Sequence, residues 1–263
     1  MKRKFLSVVL VAAMALSLAA CGEKDINETK GSVTSASVEA SVETSTEASV
    51  EEPATASVET STEASTEVLS EEGEEFSIGT VESDVYENEF FNIKVTAADG
   101  FAFADSATIA AIGQATAESF ANSDSNVAKL TADAINSGAT ITDFYLADED
   151  FVTTMNLTIS AGKGLKPSDT DAVLDATMPA LEEAFSAQGL LNVKCVRSTT
   201  TFCGEEVSCI VTTCDFPVSE TETVPMFVKQ VEIIKDGYIG CISCNTFVED
   251  GTDALLDMVS KLN

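Results

Sequence analysis

Lys229-Gln230-Val231-Glu232-Ile233-Ile234-Lys235-Asp236-Gly237-Tyr238 joins two strand-like runs, residues 225–235 and 238–247, through an Asp-Gly pair. The favoured two-residue hairpin turn needs positive φ at both central positions, and Asp-Gly supplies it at little cost. The stretch therefore predicts a long antiparallel hairpin. Two further runs, 190–201 and 206–216, precede it with equally short connections. Links of that length allow antiparallel pairing and exclude parallel crossovers.

Working backwards, Pro167 to Asp169 open the longest helical pattern, which ends near Gln188-Gly189. Proline at the start and glycine just past the end match the asymmetry of helix termini. Leu174, Met178, Leu181 and Phe185 mark its buried stripe, and Pro179 inside it is expected to kink or split it. Strands are predicted at 140–146 and 151–159. Asp105 or Ser106 caps a helix running to about Ala121, and a second helix follows over 126–135. Short strands come first, at 76–81, 85–89 and 90–96, the last with Phe91, Ile93 and Val95 alternating, followed by Phe101 and Phe103 after the Asp99-Gly100 turn. A final helix over 252–262 would bury Leu255, Leu256, Met258, Val259 and Leu262. The sum is an α+β domain over 76–263, with a mainly antiparallel sheet of about seven strands and helices on both faces.

Val85-Tyr86-Glu87-Asn88-Glu89-Phe90-Phe91-Asn92-Ile93-Lys94-Val95 resembles the opening of PsbP-like domains, where a tyrosine and an asparagine precede an extended strand. The closing hairpin, the C-terminal segment and the element order are similar to that group too. The resemblance implies an α/β/α sandwich. The group's Pro-x-Gly-Trp turn reads Ala98-Asp99-Gly100-Phe101 here, and the chain has no tryptophan. The group spans unrelated roles, so the resemblance implies no function.

The N-terminal third is of another kind. Met1-Lys2-Arg3-Lys4 is followed by an apolar run over 5–20, about 16 residues, short of the roughly 20 that span a bilayer. The run ends in Leu18-Ala19-Ala20-Cys21-Gly22, which resembles the lipobox of bacterial lipoproteins. That resemblance implies a signal peptide over 1–20, cleavage before Cys21, and a diacylglyceryl group on the Cys21 sulfur. Two acyl chains give stable anchoring where one is marginal. The expected location is the outer side of the cell membrane, with the membrane itself as a partner through that lipid.

Residues 21–75 then turn to Ser, Thr, Glu, Ala and Val, and Ser-Val-Glu-Thr-Ser-Thr-Glu-Ala-Ser occurs twice, from Ser41 and from Ser57. Glutamates four apart, such as Glu39, Glu43 and Glu47, repel on one helical face, and little apolar surface offsets the entropy of ordering. A disordered acidic tether is predicted. It carries fifteen acids against two lysines, a large part of the chain's net charge of −30.

The chain contains no histidine, which excludes Ser-His-Asp and Cys-His catalysis and His-ligated zinc. It has no phosphate-binding P-loop motif. Its acidity and only two arginines, Arg3 and Arg197, exclude a nucleic-acid surface. Asp148, Glu149 and Asp150 form a solvated acidic loop. Six cysteines remain in the domain: Cys195, Cys203, Cys209, Cys214, Cys241 and Cys244. If Gly204-Glu205 centre the turn between strands 190–201 and 206–216, Cys195 faces Cys214 at a separation near that of a disulfide. Cys241-Ile242-Ser243-Cys244 matches a redox motif, yet in a strand its two thiols point to opposite faces. Buried inert thiols, disulfides and a cysteine metal site all stay open. No catalytic residue, metal ligand or cofactor site is assigned. The functional readings, in order, are a non-enzymatic surface-tethered interaction or assembly module with an envelope protein as partner, a small-ligand binder, and an envelope thiol or metal protein.

Overall fold

The computed structural model describes residues 75–262. Cys21 and the expected export signal and tether lie outside the described residues. The strands are β1 (Thr80–Glu82), β2 (Val85–Asn88), β3 (Ile93–Thr96), β4 (Phe101–Phe103), β5 (Thr140–Asp148), β6 (Thr154–Ala161), β7 (Leu191–Phe202), β8 (Glu205–Pro217), β9 (Thr223–Lys235), β10 (Tyr238–Phe247) and β11 (Val259–Lys261). The helices are α1 (Ser106–Ala121), α2 (Asn126–Asn136), α3 (Thr170–Ala187) and the short α4 (Thr252–Leu256). No helix among the described residues is long and apolar enough to cross a membrane.

Seven strands form one antiparallel sheet in the order β4-β5-β6-β10-β9-β8-β7. The α+β class and this sheet agree with the sequence reading. The cover of its second face differs. The three long helices all pack on one face, where Phe120, Leu174, Leu181 and Phe185 meet Tyr145, Ile210, Met226 and Val228. The other face carries a separate four-stranded sheet, β1-β2-β3-β11, together with α4.

That second sheet accounts for the C-terminus, which differs from the sequence expectation. The helix expected over 252–262 stops at Leu256, and β11 pairs Val259 with Val95 and Lys261 with Ile93. An apolar run so short fits either period, and the open edge of β3 decides it. The strand expected over 90–96 starts only at Ile93, because Glu89 to Asn92 turn, with Asn92 at φ 54°. Pro179 does not split α3, which runs unbroken with Pro179 on its exposed side. The Asp236-Gly237 turn has positive φ at both residues, as predicted, and Asp105 caps α1 by accepting a bond from the Thr108 amide at 2.7 Å.

One bulge joins the two sheets. Between Thr142 and Phe144 the β5–β6 register shifts, which leaves Asp143 as the extra residue. A bulge re-aims its side chain. Here the Asp143 carboxylate accepts bonds from the Gly79 amide at 3.0 and 3.1 Å, the Tyr86 hydroxyl at 2.5 Å and the Asn88 side-chain amide at 2.9 Å. Asn88 in turn accepts from the Phe91 amide at 2.8 Å, which fixes the turn before β3. Gly79 must be glycine, because a Cβ there would lie 2.4 Å from the Tyr86 ring. Asp143→Ala strands two buried donors and frees the small sheet, so it should cost about 3 kcal/mol in urea unfolding. A loss below about 1 kcal/mol would show that packing alone holds the bulge.

Candidate functional site

The most unusual chemistry lies on the face of the large sheet that the helices cover. In β6, Met155, Leu157 and Ile159 point to the small sheet, and Thr154, Asn156, Thr158 and Ser160 alternate with them. In β10 the opposite number is Cys241, Ser243 and Asn245, and in β9 it is Gln230 and Glu232. The register aligns these into rows across the sheet. Asn156, Ser243 and Gln230 form one row, and Thr158, Cys241 and Glu232 form the next. Thr154 and Asn245 sit in a third.

Water does not reach these groups. Asn156, Ser243 and Asn245 are fully buried, and Gln230 and Glu232 nearly so. Part of the polarity is satisfied internally. The Gln230 amide donates to the Ser243 hydroxyl at 3.1 Å, and the Asn245 amide donates to the Thr154 hydroxyl at 3.3 Å. The remainder is not. Both ends of the Asn156 amide, the carbonyl oxygens of Gln230 and Asn245, the Thr177 hydroxyl on α3 and both carboxyl oxygens of Glu232 have no hydrogen-bond partner in the protein. Each buried polar group left so costs about 1–3 kcal/mol, and native structures hold few of them. Most of them are concentrated in adjoining rows of three neighbouring strands.

A cavity of about 360 Å³ opens at the end of this region, between α1, α2, β5 and β6. Thr116, Thr140, Thr142 and Thr158 line it. Thr158 is also the first member of the row that runs through Cys241 to Glu232. The cavity and the buried rows therefore share a residue.

Burial alone pushes the Glu232 carboxyl up to about 8. At neutral pH it is a carboxylic acid, able to donate one bond as well as accept.

The cysteines behave as packing residues. All six stand as thiols. The β7–β8 turn is centred on Cys203-Gly204, both at positive φ, instead of Gly204-Glu205. That moves the pairing by two residues, so Cys195 sits opposite Thr212, its sulfur 3.1 Å from the Thr212 hydroxyl, and not opposite Cys214. Burial raises Cys195 to about 11 and Cys214 to about 12, and it also holds Cys244 well above the usual thiol range. Thiols so protonated are poor nucleophiles. Cys241 and Cys244 point to opposite faces of β10, Cys244 toward the small sheet. Among the described residues no cluster of three or more acidic, cysteine or histidine side chains could hold a metal. The acidic loop is used structurally, because the Asp148 carboxylate accepts the Val152 and Thr153 amides at 2.8 and 3.0 Å. Arg197 pairs with Asp175 at 3.0 Å and ties β7 to α3.

No protein-family model matches the chain, and no curated protein matches it. Among solved structures it is similar to the solution structure of cyanobacterial PsbP (CyanoP) from Synechocystis sp. PCC 6803. The TM-score is 0.40 at 10% sequence identity, over 72% of this chain and 98% of that one. A likeness of that size assigns neither family nor function.

Glu232 gives stability a definite pH dependence. The folded chain keeps the proton up to about pH 8, whereas the unfolded chain loses it near 4.5. The native state thus binds more protons across that window, so stability falls as pH rises through it and levels above. Glu232→Gln should remove this slope and raise stability above pH 8 by roughly 5 kcal/mol. Urea unfolding at pH 5 and pH 9 tests it: equal slopes in both proteins would mean that Glu232 is already ionised.

Proposed function

We propose that this chain is an extracytoplasmic lipoprotein, anchored by lipid on Cys21, whose domain binds a small polar ligand between its helical layer and its large sheet. The observation behind the ligand reading is the set of buried, unpartnered polar groups on Asn156, Thr177, Gln230, Glu232 and Asn245. A fold that needed only to be stable would place apolar residues there, since replacing buried polar groups by apolar ones of similar shape costs little. Ligand sites of this size are concave and carry a few fixed polar groups, as the α1–α2 cavity does. The reaction repertoire is small, with no histidine and with thiols raised by burial. Binding without turnover is the reading we adopt.

An interaction or assembly module calls for a contiguous exposed apolar face. The large exposed apolar side chains include Ile78 before β1, Leu130 on α2, Leu191 and Val196 on β7, and Val248 after β10. Apart from the two on β7 they sit on separate elements, which favours the ligand reading over that alternative.

Two measurements check this. Cys21→Ser should abolish labelling by radioactive palmitate and release the protein from membranes, and unchanged labelling would overturn the anchor. The Cys21→Ser chain, screened by thermal shift against small polar metabolites, should gain several degrees with at least one compound. About 2.7 kcal/mol at a hundredfold excess over Kd corresponds to roughly 5–10 °C for a domain of this size. Asn156→Leu should erase that gain while leaving the unliganded Tm equal or higher.

A further inference from the structure

The unmet polar groups are unequal in kind, and the imbalance defines what they accept. Gln230 has committed its N–H₂ end to Ser243, and Asn245 has committed its own to Thr154. Each therefore leaves a carbonyl oxygen open. Asn156 adds a third amide oxygen, and Glu232, once it has given up its proton to meet a cation, adds two carboxylate oxygens. Against these five acceptors stand the Asn156 amide nitrogen and the Thr177 hydroxyl as donors. An anionic ligand brings only acceptors to such a surface. A neutral polyol brings donors and acceptors in equal number. An ammonium group brings three donors and no acceptor.

The charge environment agrees. Cys241 faces Glu232 from β10, Gln230 and Ile234 flank it on β9, and α3 packs over β9 with Val173, Leu174 and Thr177 on its buried stripe. None of these carries positive charge. Lys229 points to the opposite face and is tied to Asp253. Lys235 lies over the Phe90 ring. The Glu232 carboxyl thus has no cation from the protein, and burial is the sole cause of its shift.

A bare metal ion fits less well. Calcium needs six to eight oxygens at about 2.3–2.6 Å from one point. Asn156 and Gln230 belong to strands on either side of β10, with backbones roughly 9–10 Å apart. Acceptors spread over such a span suit an elongated body better than a point charge.

We infer that the ligand is a small elongated organic cation, with an ammonium group held by Glu232 and further donors met by the amide oxygens of Gln230, Asn156 and Asn245. The inference rests on the small-ligand reading above and names its chemical class. These groups are buried and the α1–α2 cavity meets their rows only at Thr158, so entry from that cavity requires the helical layer to part from the sheet. The small side chains Cys241 and Ser243 lie between the two ends of the site. Binding ionises Glu232, whose proton passes to solvent. Each cation bound near neutral pH therefore releases close to one proton.

Cadaverine, pentanediol and glutarate have similar length and differ in charge, so they separate the possibilities. On the Cys21→Ser chain, cadaverine should bind at least tenfold more tightly than pentanediol, and glutarate should not bind. Calorimetry in buffers of different ionisation heat should show about one proton released at pH 7, and affinity should rise close to tenfold per pH unit between 6 and 7.5. That readout needs no variant. Glu232→Gln should lower cadaverine affinity at least tenfold and remove the proton release. If pentanediol, glutarate or a calcium salt binds as well as cadaverine in a manner lost with Asn156→Leu, the cation inference fails and the ligand site stands. If neither these compounds nor a broad screen of polar metabolites shifts the Tm, both fail together.

Discussion

The Asp143 carboxylate is the point at which the two sheets become one domain. It belongs to β5 of the large sheet and accepts every one of its side-chain bonds from the segment 79–88. The bulge that exposes it also reverses the alternation of β5, so that Ile141 and Phe144 both face the small sheet while Thr142 and Tyr145 face the helices. Without the extra residue, one half of β5 would present the wrong face to the core. The same insertion therefore joins the layers and sets Thr142 and Thr158 into the wall of the cavity. The ring stack of Phe76 on Tyr238, with Phe90 and Phe91 edge-on nearby, closes the same layer at its other end.

The two faces of the large sheet have opposite characters, and that contrast is the physical basis of the functional reading. Toward the small sheet the side chains are apolar and interdigitate, from Met155 and Leu157 to Ile242 and Cys244. Toward the helices the apolar packing is interrupted: Leu181 and Phe185 meet Ile210 and Met226 on β8 and β9, and Tyr145 and Ala147 on β5 and Phe247 on β10 belong to the same cluster. The polar rows of β6, β10 and β9 make the interruption. Helix packing supplies stability on one side, and the same layer shields amide and carboxyl groups from water on the other.

Much of this architecture is legible from residue types alone. Asp236-Gly237 dictates its turn, Asp105 its cap, and the four long C-terminal strands their pairing. The rest fails for identifiable reasons. Cys203 at positive φ is an uncommon choice, so residue types point to a turn one position later, which shifts the expected cysteine pairing by two residues. Val259 and Met258 satisfy a helical stripe as well as a strand, and only the unpaired edge of β3 separates the two. The polar rows left a signal in the alternation Thr154, Asn156, Thr158 and Ser160. In an antiparallel strand that pattern ordinarily marks the solvent side, and burial by α1 to α3 is a tertiary fact.

β11 is drawn from the last few residues of the chain, yet it completes a sheet whose other strands lie more than 160 positions earlier. That layer cannot be completed until residues 259–261 have joined residues 93–95. Such distant pairing slows folding and keeps the chain pliable for longer. For a chain exported as proposed above, this order of events is an advantage: the segment 80–96 has no finished partner until residues 259–261 are through.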